Sequence, residues 1–168
     1  MAQEEYEHKL LDLARVARVV KGGRRFSFRA TVVCGNRKGN VGVGVAKGKD
    51  VAQAIEKALH SAKRNLISVF IVEGTIPHAT EVKYASSKLF IKPVRFGKGI
   101  VAGGAVRAVC DLAGIERISA KLLSRSKNKL NIARATIKAL QQLESSKQMR
   151  TKKEGGKKEK SNHRSDTK

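Results

Sequence analysis

The first half of the chain alternates between apolar and polar positions with the two-residue period of β-strands. Residues 11–20 and 24–34 are rich in β-branched side chains and are separated by a short glycine-containing turn at residues 21–23. A third alternating stretch, residues 40–46, places valines on one face and glycines on the other, and residues 35–39 form the hairpin turn before it. The pattern predicts three antiparallel strands whose valines face a core, while the glycines allow close approach of a helix or of RNA.

Helical spacing begins directly after these strands. Asp50 is the predicted N-cap, and Gln53 stands three residues later, as in a capping box. The apolar stripe of this helix comprises Val51, Ile55, Ala58, Leu59, Ala62 and Leu66. Three cations lie off that stripe, namely Lys57, Lys63 and Arg64. Residues 10–73 are therefore predicted to form a β-β-β-α unit.

A stretch at residues 74–78, which contains glycine and proline, marks the predicted boundary of a second unit. Short strands are predicted at residues 81–84, 88–93 and 118–123. A helix ending at Gly114 follows the first two of these strands, because glycine readily adopts the left-handed conformation that ends many helices. The inward positions of this helix are Val106, Val109, Cys110 and Ala113.

The last helix is predicted to begin at Asn131, which acts as its N-cap. The apolar side of this helix comprises Ile132, Ala133, Ile137, Leu140 and Leu143. Residues 74–145 thus form a predicted two-layer β-β-α-β-α domain, and the whole chain is assigned to the α+β class. Each unit is small for independent stability, so the two units are expected to pack together.

The two ends of the chain differ in composition from the middle. Residues 1–9 form an acidic lead-in that is predicted to be loose. Residues 146–168 are predicted to be a disordered basic tail, since the charged run at residues 152–160 holds no apolar side chain to bury. The tail has nine basic and three acidic residues and so carries +6, which leaves +16 of the formal net charge of +22 on the rest of the 168-residue chain.

This charge indicates a polyanionic partner, with nucleic acid first and an anionic membrane surface second. No apolar run approaches the roughly 18 residues that span a bilayer, and the acidic N-terminus lacks the order of a signal peptide. A cytoplasmic protein is therefore expected, with an organelle matrix as the alternative. The only cysteines, Cys34 and Cys110, lie in apolar stretches and are predicted to be reduced core thiols.

Motifs for catalysis or cofactor binding are missing from the sequence. The glycine pair at residues 42–44 is followed by Lys47, and the pair at residues 97–99 by Ala102, where a dinucleotide-binding loop has its third glycine. Asp50 stands where a phosphate-binding loop needs serine or threonine as a magnesium ligand. The four histidines are scattered, without the spacing of metal ligands. No enzyme activity, metal or cofactor is expected.

Basic residues are concentrated in the two predicted hairpin turns and on the first helix. The candidate RNA-binding residues are Lys21, Gly22, Gly23, Arg24 and Arg25 in the first turn, Arg37 and Lys38 in the second, and Lys57, Lys63 and Arg64 on the helix. Aromatic residues make up 4% of the chain and tryptophan is absent, so base stacking is expected to be minor. Phe26 and Phe28, which share one face of the second strand, are interpreted as core residues. Contact with phosphates and recognition of RNA by its shape are the predicted mode of binding.

Motifs spread over residues 11–144 resemble the bacterial type of the small-subunit ribosomal protein S5 family. The first is the basic run at residues 20–28, and the second is the valine–glycine run at residues 39–44. The others lie at residues 54–66, 97–104, 107–109, 113–115 and 134–136. The chain departs from the family at residues 124–131, where the usual glycine and proline before the last helix are absent and the loop is one residue longer.

The resemblance implies an N-terminal domain similar to double-stranded-RNA-binding domains and a C-terminal α/β domain. It also implies a structural protein between the head and body of the small ribosomal subunit, which contacts the 16S-type ribosomal RNA and the neighbouring proteins S4 and S8. Such a protein lines the path by which mRNA enters, helps to unwind structured mRNA and affects decoding accuracy. By this resemblance, residues 21–25 contact RNA near the head–body junction, and Gly103, Gly104 and Arg107 lie toward the interface with neighbouring proteins.

Two alternatives stay open from the residues alone. One is a free RNA-binding regulator or RNA chaperone that uses the same basic hairpins. The other is a nucleic-acid-processing enzyme, which needs a metal-ligating cluster of acids that the sequence does not reveal.

Overall fold

The computed structural model describes residues 6–95 and 97–143. Within these ranges the chain forms two four-stranded sheets and three α-helices, which confirms the predicted α+β class. The first five residues of the predicted lead-in and the predicted basic tail at residues 146–168 lie outside the described residues.

The N-terminal part is an antiparallel sheet with a helix against one face. Its elements in chain order are β1 (Glu7–Val20), β2 (Gly23–Gly35), β3 (Asn40–Gly48), α1 (Val51–Arg64) and β4 (Leu66–Ser68), and the sheet order is β1-β2-β3-β4. The predicted β-β-β-α order is confirmed. Strand β1 begins earlier than predicted, because Glu7, His8 and Lys9 pair with β2 instead of forming a loose lead-in. The three-residue edge strand β4 is too short for its alternation to be recognised in the sequence.

Helix α1 packs against β3 through residues that have almost no side chain. A Cβ atom at Gly44 would overlap the carbonyl oxygen of Ala58, and one at Gly42 would overlap the carbonyl oxygen of Ala62. Both alanines are fully buried and lie one helical turn apart on the same face of α1. The glycine face of β3 thus admits a helix backbone, which is one of the two roles that the sequence alternation predicts.

The C-terminal part is a second sheet with α3 packed across β5 and β6. Its elements are β5 (Thr80–Tyr84), β6 (Ser87–Pro93), β7 (Ile100–Val101), α2 (Gly104–Ala113), β8 (Ile118–Leu122) and α3 (Lys129–Gln141), and the sheet order is β5-β6-β8-β7. Strand β7 runs parallel to β8, whereas the other pairs are antiparallel. The predicted strands and helices are present. Strand β7 is not among the predicted strands, because two residues are too few to show an alternating pattern.

Two predicted helix ends are confirmed, and two details of capping are wrong. Gly114 ends α2 in the left-handed conformation, with φ at 85°, and Asp50 is the N-cap of α1. The Asp50 side chain makes no capping hydrogen bond, so the predicted capping box does not form. Helix α3 is capped by Asn128, whose Oδ1 accepts hydrogen bonds from the amides of Leu130 (3.1 Å) and Asn131 (3.4 Å). Asn131, the predicted cap, lies inside the helix.

The divergent loop before α3 is fastened to β6. The amide of Lys88 donates a hydrogen bond to Ser124 Oγ at 3.0 Å, and the amide of Leu123 donates to the carbonyl oxygen of Lys88 at 2.8 Å. Together with the Asn128 cap, these bonds fix the start of α3 without the glycine and proline that the resemblance leads one to expect.

One apolar cluster joins the two parts of the molecule. Val33, Val41 and Val43, on the valine face of the first sheet, are buried in the same cluster as the inward residues of α2, α3 and the second sheet. The two units therefore pack together, as their small size predicts. Cys34 and Cys110 are buried free thiols, as predicted, and burial raises the pKa of Cys110 to about 12.

Candidate RNA-binding surface

The hairpin of β1 and β2 extends beyond the rest of its sheet. Strand β1 pairs with β2 as far as Val20 and Gly23, whereas the pairing of β2 with β3 stops at Phe28 and Gly48. Five residues of β2 are therefore paired on one side only, which makes a two-stranded ribbon about 17 Å long. We call residues 15–28 the arm.

The arm carries positive charge without compensation. Its fourteen residues include five cations and no acid. The cations are Arg15, Arg18, Lys21, Arg24 and Arg25. The salt bridges formed among the described residues include none of these five. Since Arg18 and Arg25 are direct cross-strand partners, two like charges face the same side of the ribbon, and like charges placed directly opposite one another are destabilising.

The turn of the arm is shaped by Gly23. The φ angle of Gly23 is 125°, a conformation that residues with a side chain rarely adopt. Gly22 has no positive φ, and a Cβ atom there would meet nothing within 4 Å. Of the two glycines in the predicted turn, the backbone requires only Gly23, while the neighbouring Lys21 and Arg24 are exposed.

Phe26 lies on the surface of the arm, so its assignment to the core is wrong. Its residue surface is 50% exposed, and the guanidinium carbon of Arg15 lies 3.8 Å from the centroid of its ring. Phe28 shares that face of β2 but lies at the base of the arm, where it packs against the cluster that contains Ala54 and Ala58 of α1. Helix α1 covers only the base, which is why one ring of β2 is partly buried and the other is exposed.

The loop between β2 and β3 is docked on the C-terminal part. The amide of Arg37 donates to the carbonyl oxygen of Leu112 at 3.0 Å, and the amide of Gly39 donates to that of Ala113 at 2.9 Å. The loop thereby satisfies carbonyl groups in the last turn of α2. A Cβ atom at Gly114 would overlap the carbonyl oxygen of Arg37, so the two backbones meet closely. The second predicted basic tip therefore forms part of the contact between the two units.

The cationic side chains of this docked loop remain at the surface. Arg37 donates to Oε2 of Glu7 through Nε at 3.0 Å and forms a salt bridge with the same oxygen through Nη2 at 2.8 Å. Lys38 is exposed, and its amide donates to Oδ1 of Asn36 at 2.9 Å. One of the two candidate RNA-binding cations in this loop thus already has an acidic partner, unlike the cations of the arm.

The candidate cations of α1 are exposed but do not join the arm in one cluster. Gly48, at the base of the arm, packs against Ala54 near the start of the helix. Lys63 and Arg64 form the last turn of the helix, roughly 14 Å further along its axis. The ammonium group of Lys63 lies 5.9 Å from the ring centroid of Tyr6. Lys57, the third candidate, lies between the two ends of the helix.

The residues predicted for a protein interface lie at the start of α2. Gly103 is the N-cap of the helix, and its carbonyl oxygen accepts a hydrogen bond from the amide of Arg107 at 2.8 Å. A cleft of about 340 Å³ opens beside Gly103 and Gly104 and is lined on its other side by Leu10 of β1, which is 42% exposed. Two of the three predicted interface residues therefore lie beside an exposed apolar side chain.

Sequence reasoning missed Arg15 and Arg18 as candidate RNA-binding residues. The signal that identifies them is the register of the hairpin, because a turn at residues 21 and 22 places position 18 opposite 25 and position 15 opposite 28. Counting outward from the turn adds both arginines to the candidate surface. It does not show that Phe26 is exposed, since that depends on how far along β2 the helix α1 packs.

The described part of the chain contains no grouping of three or more His, Cys, Asp or Glu side chains suited to a metal ion. In residues 6–95 and 97–143, no helix is both long enough and apolar enough to cross a membrane.

Comparison with protein families accounts for both parts of the molecule. Residues 6–70 match the model of the N-terminal domain of ribosomal protein S5, and residues 82–153 match that of its C-terminal domain. The chain belongs to the ribosomal protein S5 family. Proteins of the S5 family are structural and non-enzymatic, so the expectation that this chain is not an enzyme follows from its family.

Two bacterial S5 proteins are similar to this chain over most of its length. The small ribosomal subunit protein uS5 of Campylobacter jejuni is 50% identical over 141 residues, which is 84% of this chain and 95% of that protein. The small ribosomal subunit protein uS5 of Thermotoga maritima is 46% identical over 140 residues, which is 83% of this chain and 78% of that protein. The resemblance to the bacterial type of the S5 family is confirmed.

Proposed function

We propose that this S5 protein is a structural constituent of the small ribosomal subunit and that its arm binds ribosomal RNA. The arm itself carries the proposal, since it places five cations and no acid on a hairpin that extends beyond β3. The relatives from Campylobacter jejuni and Thermotoga maritima are named as small-subunit proteins, which supports the assignment to the small subunit.

The arrangement of the arm cations suits insertion between RNA segments. Arg18 and Arg25 lie on one face of the ribbon, and the alternation of the strands puts Arg15 and Arg24 on the other. Cations on both faces let a narrow ribbon contact phosphates on two sides. Each contact releases counterions from the RNA, so binding weakens as the salt concentration rises.

At the level of the subunit, the arm contacts the 16S-type rRNA at the junction of head and body. There the protein lines the entrance path of mRNA, supports the unwinding of structured mRNA and contributes to translational accuracy. The family resemblance supports these roles. In this proposal, residues 10–73 are the RNA-binding domain, residues 74–145 are the C-terminal domain, and the protein resides on ribosomes in the cytoplasm.

The start of α2 is the proposed contact with a neighbouring ribosomal protein. The support is the cleft between Gly103, Gly104 and the exposed side chain of Leu10. Arg107 lies one turn further along α2 and is exposed as well. The resemblance to the S5 family names S4 and S8 as the proposed neighbours.

Sedimentation of cell extracts through a sucrose gradient tests the assignment to the subunit. We expect the protein, expressed at its native level, to migrate with small subunits. The double change Arg24→Gln and Arg25→Gln is expected to lower the bound share, because it removes two phosphate contacts. The matched control, Lys92→Gln with Lys121→Gln, removes two exposed cations of the second sheet and is expected to leave the share unchanged. Protein that remains at the top of the gradient would instead support a free RNA-binding regulator or chaperone.

The position on the subunit needs a separate measurement. Crosslinking from Lys21, at the turn of the arm, followed by sequencing of the attached RNA, is expected to identify rRNA from the head–body junction. Attachment to rRNA of another region would contradict the proposed position while leaving the RNA-binding role of the arm intact.

A further inference from the structure

The exposed face of the arm carries an aromatic platform between cations. The ring of Phe26 is half exposed, and the guanidinium group of Arg15 is stacked 3.8 Å from its centroid. Ala17, the direct cross-strand partner of Phe26, is too small to cover the ring. Val19 lies on the same face, nearer the turn, and is 76% exposed. A ring, a guanidinium plane and an apolar side chain thus share one surface of a protruding ribbon.

The core of this protein does not use that surface. Scattered exposed apolar residues are common and need no explanation, but here the exposed ring is held in place by a stacked cation. Phe28, two residues along the same strand, already supplies the apolar contact with α1. The exposed ring therefore fits a ligand that stacks on aromatic and guanidinium planes.

The charge of the surroundings selects the chemistry of that ligand. Arg24 projects from the same face as Phe26, and no acid occurs among the fourteen residues of the arm. A nucleotide offers both a base that stacks on a ring and a phosphate that pairs with a neighbouring cation. A protein partner would match this surface only with an apolar patch surrounded by acids.

We propose that Phe26, supported by Arg15, stacks on an unpaired base of the bound RNA. The proposal rests on the proposed function, since it names the part of the RNA that the arm recognises. Phosphate contacts alone do not distinguish paired from unpaired RNA. A stacking ring does, because the bases inside a duplex already stack on one another. The arm thus binds RNA that has a bulged or looped-out base in preference to a continuous duplex.

Two labelled RNAs that differ by one unpaired base test this preference in the full-length protein. One is a fully paired RNA hairpin, and the other is the same hairpin with a single bulged adenine. We expect Phe26→Leu to weaken binding of the bulged RNA about tenfold and to change binding of the paired RNA by less than about twofold, because only the bulged base stacks. Phe26→Tyr keeps the ring and is expected to retain the affinity for the bulged RNA.

Phe70→Leu is the matched control, because Phe70 is a 41% exposed phenylalanine outside the arm. We expect this change to affect neither RNA. Thermal unfolding of each variant shows whether the fold is retained, which is expected for a ring that lies at the surface. Direct ultraviolet crosslinking supplies a second readout, and the adduct on the bulged base is expected at Phe26.

The outcomes separate this proposal from the proposed function. If Phe26→Leu leaves both affinities unchanged while Arg24→Gln with Arg25→Gln weakens both, stacking is overturned and RNA binding by the arm stands. If the arginine changes also have no effect, RNA binding by the arm is wrong. An equal loss on both RNAs overturns the preference for an unpaired base. Loss of a neighbouring ribosomal protein from the subunit, with RNA binding unchanged, would show that the ring contacts protein.

Discussion

The first hairpin turn and the second hairpin loop look alike in the sequence, since both combine adjacent cations with glycine. In the fold, the first turn ends a ribbon that β3 and β4 do not accompany, and its five cations form no salt bridge among the described residues. The second loop, residues 36–39, donates backbone hydrogen bonds to the end of α2, and Arg37 is paired with Glu7. One basic turn is a free surface, and the other is part of the contact between domains.

Strand length, and not local composition, decides what a basic turn can contact in this fold. Strands β1 and β2 continue past the last residue that pairs with β3, so their turn lies clear of the sheet. The second hairpin turns at the edge of the core that both domains share, where the last carbonyl groups of α2 need donors. The backbone of the second loop supplies those donors, whatever the charge of its side chains.

Substitution of glycine is expected to give the largest difference in unfolding free energy between the arm and the contact that docks the second loop. Gly114 has φ at 85°, and a Cβ atom there would overlap the docked loop at the carbonyl oxygen of Arg37. We therefore expect Gly114→Ala to lower the free energy of unfolding by about 3 kcal/mol, since strain and overlap act together. Urea denaturation measures this change.

Two glycines of the arm serve as controls for that change. Gly23 has φ at 125° but nothing within 4 Å of a Cβ atom, so Gly23→Ala tests strain without overlap and is expected to cost about 1 kcal/mol. Gly22→Ala, with neither strain nor overlap, is expected to cost less than about 0.5 kcal/mol. Equal losses of unfolding free energy for Gly22→Ala and Gly114→Ala would contradict the distinction between a free turn in the arm and a second loop docked on α2.

Removal of charge is expected to affect RNA affinity, and here the arm is the more sensitive of the two turns. The triple change of Arg18, Arg24 and Arg25 to glutamine is expected to weaken binding of structured RNA roughly 10- to 100-fold at physiological salt and to reduce the slope of log affinity against log salt by roughly two to three. The changes Arg37→Gln and Lys38→Gln together are expected to have a much smaller effect, because Arg37 is already paired with Glu7. Fluorescence anisotropy at several salt concentrations measures both.

A larger loss from the second loop than from the arm would contradict this ranking. It would mean that the docked loop, despite its hydrogen bonds to α2, still presents the main RNA-binding cations.

Much of the fold follows from local patterns in the sequence. The alternation of valine and glycine in β3 predicts that the valine face meets the core and that the glycine face admits a helix. Gly114 marks the end of α2 correctly. The cap of α3 is assigned to the wrong asparagine, because Asn128 and Asn131 are both good N-cap residues and only the backbone distinguishes them. Such errors of a few residues arise where two local signals compete.

The candidate surface is less predictable because it depends on contacts between distant residues. Phe26 and Phe28 have the same spacing and the same face, and only the reach of α1 separates an exposed ring from a half-buried one. The docking of Arg37 and Gly39 onto α2 joins residues more than seventy positions apart, for which no local pattern exists. The basic turns could be identified from composition, whereas Arg15 and Arg18 needed the hairpin register, and which of the two turns is free needed the fold.

The ion pair between Glu7 and Arg37 gives a smaller test of the docked loop. Because both side chains are more than half exposed, we expect a coupling free energy of about 0.5 kcal/mol between Glu7→Gln and Arg37→Gln. A double-mutant cycle in urea measures it, and the coupling should shrink at high salt. Coupling near zero at low salt would return Arg37 to the set of cations available to RNA.

The facing arginines of the arm give the smallest expected effect on stability, and its direction is itself the test. Arg18 and Arg25 are direct cross-strand partners without an acid on the arm, so Arg18→Gln is expected to raise the free energy of unfolding by about 0.3 kcal/mol at low salt while weakening RNA binding. Lys9→Gln is the matched control, because Lys9 lies on the same strand opposite the apolar Val33 and its loss relieves no facing cation. If Arg18→Gln instead destabilises the protein, the two guanidinium groups support each other and the arm is stable without a polyanion. The expected result, a gain in stability with a loss in binding, would show that the arm keeps a locally unfavourable charge pair for the sake of its ligand.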